Sequence, residues 1–196
     1  MIKLSDNLSL SSIIQGFWRL CSWEWTAEEL ADFMNACIEG VDTMELEISV
    51  EDILNKRKIE SDRIEFKTGW NPDDIYHSVC AFANDYNNDG GGYIVVGVEE
   101  ENGIAKRPVK GLPEYMLDTI QKEMVGYNNM ISPPYFPQGI PTEADGKWIY
   151  VIVARAGQQR PYKSPEHVTG KKDKKYHYYI RYLTSSVKAN PEQERE

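Results

Sequence analysis

Four glutamates of the chain could do chemistry together if the fold brings them to one point. Glu60 and Glu65 are five residues apart, and Glu99 and Glu100 follow an apolar run. Three converging carboxylates can hold Mg²⁺ or Mn²⁺ and activate a bound water molecule. Residues five apart on a straight strand point to opposite faces, so Glu60 would have to lie on a curled segment before the strand. In the alternative interpretation, Glu65 pairs with Lys67 or a nearby arginine and Glu60 is solvated.

Positive charge is concentrated in the C-terminal part of the chain. The net charge of −9 argues against a protein that simply coats nucleic acid. Residues 155–181, however, contain eight Lys or Arg and two Asp or Glu, so this segment carries +6 and the rest of the chain −15. Such a basic lobe is compatible with a face that contacts phosphates, and the alternative is a solvated lysine-rich turn at residues 171–175. The predicted nucleic-acid-binding residues are Lys67, Arg155, Arg160, Lys163 and Arg181.

Aromatic residues surround the last of these cations. Tyr176, Tyr178 and Tyr179 lie beside His177 and could offer stacking surfaces to the bases of a single strand. An ordinary cross-strand ladder of aromatic side chains explains the same pattern equally well. Both interpretations place these residues on one strand.

Periodic apolar patterns predict the elements that would position these residues. Asn71 and Pro72 supply an N-cap and a proline at the first position of a helix. The apolar run 93–98 is bounded by glycine, which predicts a buried central strand. Together, the predicted helices and strands indicate an α+β domain in which helices pack on a mixed β-sheet. The other predicted elements are strands over 63–67, 148–154 and 176–182, a hairpin turn at 101–103, and helices over 49–54 and from Pro113.

Four short motifs occur in a fixed order through this region. Glu-x4-Glu-Phe-Lys spans 60–67, Ala-Phe-Ala-Asn spans 81–84, glycines at 90–92 precede a strand, and Gly-Val at 97–98 ends it before an acidic pair. Together they resemble the Schlafen/AlbA-like domain family over roughly residues 44–186. The glycines precede a strand rather than a helix, so a tight structural turn is favoured over a nucleotide cradle.

The resemblance implies a nucleic-acid-binding module of a transcriptional regulator, with DNA or RNA as its partner. It also implies an alternative, a metal-dependent endoribonuclease of the Schlafen type. In that alternative Glu60, Glu65 and Glu100 are catalytic, and Mg²⁺ or Mn²⁺ is held by these residues and Glu99. A third alternative is a non-catalytic oligomerisation or interaction module. No cofactor is expected outside the nuclease alternative.

The chain departs from the family pattern in two places. An Asn- and Asp-rich insert separates Asn84 from the glycines. The strand that resembles the family's Tyr-x-Arg strand, here ending at Arg181, is not followed by the usual glycine.

Three segments are predicted along the chain. Residues 44–187 form the Schlafen/AlbA-like domain, and residues 188–196 start a truncated C-terminal helix. Residues 1–43 form a strand–helix extension that resembles the start of an aldo-keto reductase. We expect no reductase activity, because the catalytic residues have no counterparts and a (β/α)8 barrel needs about 250 residues. The extension must bury its apolar face on the main domain or on a second copy, so a homo-oligomer is one expected assembly.

Composition favours a cytoplasmic protein without a membrane partner. No apolar run approaches the length of a membrane span, and the N-terminus lacks the pattern of a signal peptide. Cys21, Cys37 and Cys80 are scattered without a CxxC pair, which predicts reduced, buried thiols.

Overall fold

Helices and strands are interspersed along the chain in this protein. The computed structural model describes residues 48–55, 61–170 and 174–194. In chain order the helices and strands are α1 (Val50–Leu54), β1 (Ile64–Lys67), α2 (Pro72–Asn84), β2 (Gly91–Val96), β3 (Glu100–Glu101), β4 (Ile104–Ala105), α3 (Glu114–Asn128), β5 (Gln138–Ala144), β6 (Lys147–Arg155), β7 (Lys163–Pro165), β8 (Tyr176–Tyr182) and β9 (Ser185–Lys188). These residues belong to one compact unit, Leu46–Glu196.

A four-stranded mixed sheet in the order β1–β2–β6–β5 carries the core. β1 runs parallel to β2, whereas β6 is antiparallel to both of its neighbours. A second sheet has the order β7–β8–β9, and β3 pairs with β4 as a hairpin. The predicted α+β class, a mixed sheet packed by helices, is therefore confirmed.

Local sequence explains where the helices begin. The Ser49 side chain accepts a hydrogen bond from the Asp52 backbone N–H at 3.1 Å, which caps α1. α2 begins at Pro72, as predicted, because a proline at the first position loses no intrahelical hydrogen bond. Asn71 gives no side-chain cap; its amide donates to Asp74 Oδ2 at 2.6 Å instead.

The central sheet separates two apolar clusters. Because side chains alternate along a strand, Ile94 and Val96 of β2 face α2 and α3, whereas Tyr93 and Val95 face α1. All of β2 is buried, as the apolar run predicts. Cys80 lies in the first cluster as a free, fully buried thiol, and this burial raises its pKa to about 12.

Several predicted features lie partly or wholly beyond the described residues. The extension at 1–43, Cys21, Cys37 and Glu60 lie outside them, as do residues 171–173 of the lysine-rich turn. At the other end, Asn190 Oδ1 accepts from the backbone N–H groups of Glu192 and Gln193 and caps a single turn. No helix among the described residues is long and apolar enough to span a membrane.

Candidate nucleic-acid interface

Alternation along β8 divides its aromatic side chains between two surfaces. Tyr179 and Arg181 point toward α2 and are 2% and 6% exposed, whereas Tyr176 lies on the outer surface and is 42% exposed. Tyr179 stacks on the ring of His77 with a centroid separation of 4.1 Å. Of the predicted stacking tyrosines, Tyr179 is therefore a core residue, and Tyr176 and Tyr178 remain candidates for contact with bases.

Arg181 is anchored inside the domain. Its Nη1 donates to Glu65 Oε2 at 2.5 Å and to Ser186 Oγ at 2.8 Å, and its Nε donates to the Asp62 carbonyl at 3.1 Å. Burial lowers the pKa of Arg181, and the negative charge of Glu65 opposes that shift. The sequence predicts Arg181 as a phosphate contact, and in the ion-pair alternative it predicts a nearby arginine as the partner of Glu65. The geometry favours the pairing.

Glu65 is enclosed by two cations. Lys67 Nζ lies 2.7 Å from Glu65 Oε1, while Arg181 holds the other carboxylate oxygen. The side chains of Glu65 and Lys67 are 14% and 24% exposed. This is the ion-pair alternative foreseen for Glu65, in a largely buried form. Lys67 compensates the carboxylate here instead of facing outward as a phosphate contact.

The other acidic residues of the nuclease alternative lie elsewhere. Glu99 pairs with Lys106 at 3.5 Å, and Glu100 is exposed in the β3–β4 hairpin. Across residues 48–55, 61–170 and 174–194, no group of three or more His, Cys, Asp or Glu side chains could hold a metal ion. Because Glu60 lies outside these ranges, the catalytic and metal-ligand assignments stay predictions.

The glycine-rich loop before β2 is closed by its own carboxylate. Asp85 adopts a left-handed conformation with φ of 46°, and its Oδ1 accepts from the backbone N–H groups of Asp89, Gly90 and Gly91 at 2.9 to 3.1 Å. A Cβ on Gly91 would lie 2.2 Å from the Ala154 carbonyl oxygen. The loop is thus a tight structural turn, as predicted, and its amide groups are already occupied by an anion.

Asn84 joins three elements at the end of α2. Its amide nitrogen donates to the carbonyls of Tyr162 and Tyr179 at 3.0 and 2.8 Å, and its oxygen accepts from the Tyr162 N–H at 2.6 Å. The side chain therefore fixes the loop before β7 and the strand β8 relative to α2. These hydrogen bonds therefore fix the position of β8 and of its outer surface.

A shallow groove of about 540 Å³ lies on the outer side of β8, next to the end of α2. Arg160 and Tyr178 both line it, and Lys163 Nζ lies 4.5 Å from the centroid of the Tyr178 ring. The Arg160 guanidinium contacts the Asn84 and Asp85 carbonyl oxygens at 3.4 and 3.3 Å, and lies 3.5 Å from Asp85 Oδ2. Its side chain is still 40% exposed, so it presents positive charge at the groove.

Arg155 lies apart from this groove, at the end of β6. It is exposed, pairs across the sheet with Gly91, and contacts the Gln138 side-chain oxygen at 3.4 Å. Alternation along β6 places its side chain on the face of the sheet opposite to α2. We call Arg160, Lys163 and Tyr178 the basic face. It contains two of the five predicted nucleic-acid-binding residues, while Lys67 and Arg181 belong to the ion-pair network of Glu65.

A family model described as Schlafen, AlbA_2 matches residues 60–190, which is more than half of the chain. The chain belongs to the Schlafen AlbA_2 family. No curated protein gives a significant match.

Two solved structures are similar to this Schlafen AlbA_2 chain. One is the N-terminal domain of a RecG-related protein from Nitrosomonas europaea, at 26% identity and a TM-score of 0.42, covering 65% of this chain and 82% of that one. The other is the DIP2311 protein from Corynebacterium diphtheriae, at 16% identity and a TM-score of 0.41, covering 68% of this chain and 27% of that one. Both TM-scores are low, so the family assignment rests on the family model. The aldo-keto reductase resemblance of residues 1–43 finds no support in these comparisons.

Sequence reasoning missed two residues of this Schlafen AlbA_2 domain. Asp85 closes the glycine loop, and an Asp just before a glycine-rich turn is a signal that could have identified it, because Asp tolerates the left-handed conformation. Ser186 joins Arg181, Glu65 and Ser78 through its hydroxyl group, at 2.8 to 3.3 Å. No local pattern marks Ser186, since two of its partners, Glu65 and Ser78, are distant in sequence.

Proposed function

We propose that the protein binds nucleic acid through the basic face. The observation that carries this proposal is that Arg160 and Tyr178 line one groove while Lys163 Nζ lies 4.5 Å from the centroid of the Tyr178 ring. Cations bind phosphates and aromatic rings stack on bases. A surface with both therefore suits nucleic acid, which carries phosphates and bases, better than it suits an acidic protein. Membership of the Schlafen AlbA_2 family supports the same class of partner.

The distribution of charge explains how a chain with a negative net charge could bind nucleic acid. The net charge is −9, which disfavours non-specific coating of nucleic acid over the whole surface. Binding would then be confined to the basic face, where exposed guanidinium and ammonium groups release counterions from the phosphates. Arg181 and Glu65 contribute indirectly, because their buried network holds β8 and β9 in place behind Tyr178.

The proposal is tested by equilibrium binding of labelled DNA and RNA to the full chain. Arg160→Ala/Lys163→Ala should weaken binding at least tenfold, since two phosphate contacts are removed. The matched control is Lys106→Ala/Lys110→Ala, which removes two exposed charges near Gly97 and Gly111, at the opposite end of β2 from Arg155. Equal affinities of the two double variants would reject the basic face as the binding surface.

We extend the proposal to transcriptional regulation in the cytoplasm, as the sequence resemblance implies. In that role the protein binds DNA near a promoter, and the assembly is a homo-oligomer. Reporter expression that is unchanged when the wild-type chain is replaced by Arg160→Ala/Lys163→Ala would reject this extension. Light scattering on the purified chain tests the oligomer separately.

A further inference from the structure

The groove on the basic face has both apolar and polar lining residues. Tyr178 and Ile180 are two residues apart on β8, so they share one face of the strand, and both line the groove together with Pro161. The volume of about 540 Å³ falls within the range of small-ligand sites. Tyr178 lines the groove, whereas Lys163, which contacts its ring, does not.

Charged groups of both signs line the groove. Arg160 is fixed by the two carbonyls and the carboxylate at the end of α2. Gln193 and Glu194, from the turn after β9, also line the groove. A phosphate is attracted to Arg160 and repelled by Glu194. The amino and imino N–H groups of a base can instead donate to the Glu194 carboxylate, whereas Gln193 Oε1 already accepts from the Asn190 backbone N–H at 3.0 Å.

We propose that this groove takes one unpaired base of a single-stranded nucleic acid, with the base stacked on Tyr178 and the adjoining phosphate against Arg160. The inference rests on the proposed function and names its substrate class. A base in a duplex is stacked and paired, and removing it from the helix costs free energy that a single strand does not have to supply. The protein therefore prefers single strands to duplexes.

The test measures fluorescence anisotropy of a labelled single strand of about 12 nucleotides and of the blunt duplex of the same sequence. The full-length wild type should bind the single strand more tightly. Tyr178→Ala should weaken single-strand binding about 5- to 150-fold, because it removes one stacking contact, and should weaken duplex binding much less. Tyr178→Phe keeps the ring and should restore most of the affinity.

Tyr176→Ala is the matched control, because Tyr176 is exposed on the same strand but does not line the groove. Urea unfolding of each variant checks that the fold is intact. Equal affinity of the wild type for both forms, or equal losses for both forms in Tyr178→Ala, would overturn the inference while the basic face stands. Failure of the wild type to bind any strand would remove the proposed function as well.

Discussion

Arg181 and Glu65 are 116 residues apart in sequence and meet inside the domain, with Arg181 Nη1 2.5 Å from Glu65 Oε2. Removing one member of a buried ion pair leaves the other charge uncompensated, at a cost of about 3–5 kcal/mol. We expect Arg181→Met and Glu65→Gln each to lower the free energy of unfolding by about 3 kcal/mol, the lower end of this range. Lys67 still compensates Glu65 in the first variant, and Ser186 still accepts from Arg181 in the second.

The double variant Glu65→Gln/Arg181→Met is the control for that prediction. Because both charges are gone, its loss of stability in urea unfolding should be clearly smaller than the sum of the single losses. If the two single losses add up in the double variant and each is less than about 1 kcal/mol, the pair behaves as an exposed surface pair. That result would contradict the buried network.

Gly91 packs against the backbone of β6, where a Cβ would lie 2.2 Å from the Ala154 carbonyl oxygen. Its φ of 86° also disfavours any side chain. We expect Gly91→Ala to destabilise the fold by several kcal/mol or to prevent folding, as measured by urea unfolding and expression in soluble form.

Gly126→Ala is the matched control, because Gly126 lies within α3 and a Cβ there meets nothing within 4 Å. Alanine has the higher helix propensity, so this variant should gain about 1 kcal/mol. A Gly91→Ala variant as stable as Gly126→Ala would show that β2 and β6 do not approach each other in this way.

Asp73 links the first turn of α2 to the segment 167–169. Burial alone would raise the pKa of Asp73, but hydrogen bonds from Thr169, His167 and the Val168 backbone outweigh it and hold the pKa below its usual 3.8. A carboxylate with a lowered folded-state pKa stabilises the fold above its unfolded pKa, and this stabilisation is lost as the pH falls through the folded pKa. Asp73→Asn should therefore be less stable than the wild type near pH 7, with a difference that shrinks below about pH 4.

Urea unfolding of both proteins across that pH range measures the difference directly. The comparison with the wild type at each pH cancels the titration of the other carboxylates, which both chains share. A difference that stays constant down to pH 3 would mean that the Asp73 charge contributes nothing to the fold.

Local patterns predicted much of the fold, and long-range contacts account for what they missed. Tyr176–Tyr182 alternates and is rich in tyrosine, and β8 spans the predicted residues. The patterns predict neither β7 nor β9, because one is only three residues long and ends in proline and the other begins with two serines. Alternation also cannot say which face of β8 is inward, since that depends on α2, which lies far away in sequence.

The same limit applies to the candidate site. Charge density predicts a phosphate-contacting face in residues 155–181, and within that segment Arg160 shares a groove with Tyr178 and Lys163 contacts its ring. Arg181 has the same charge, yet it is 6% exposed because Glu65 and the Asp62 carbonyl hold it inside. Composition counts charges without distinguishing a buried cation from an exposed one.

The salt dependence of binding tests the central claim most directly. Each phosphate contact contributes about 0.7 to the slope of log affinity against log salt concentration for a single strand. If the basic face binds phosphates, Arg160→Ala/Lys163→Ala should have a slope shallower than the wild type by about 1.4. Lys106→Ala/Lys110→Ala should keep the wild-type slope. Identical slopes for all three proteins would contradict binding through the basic face.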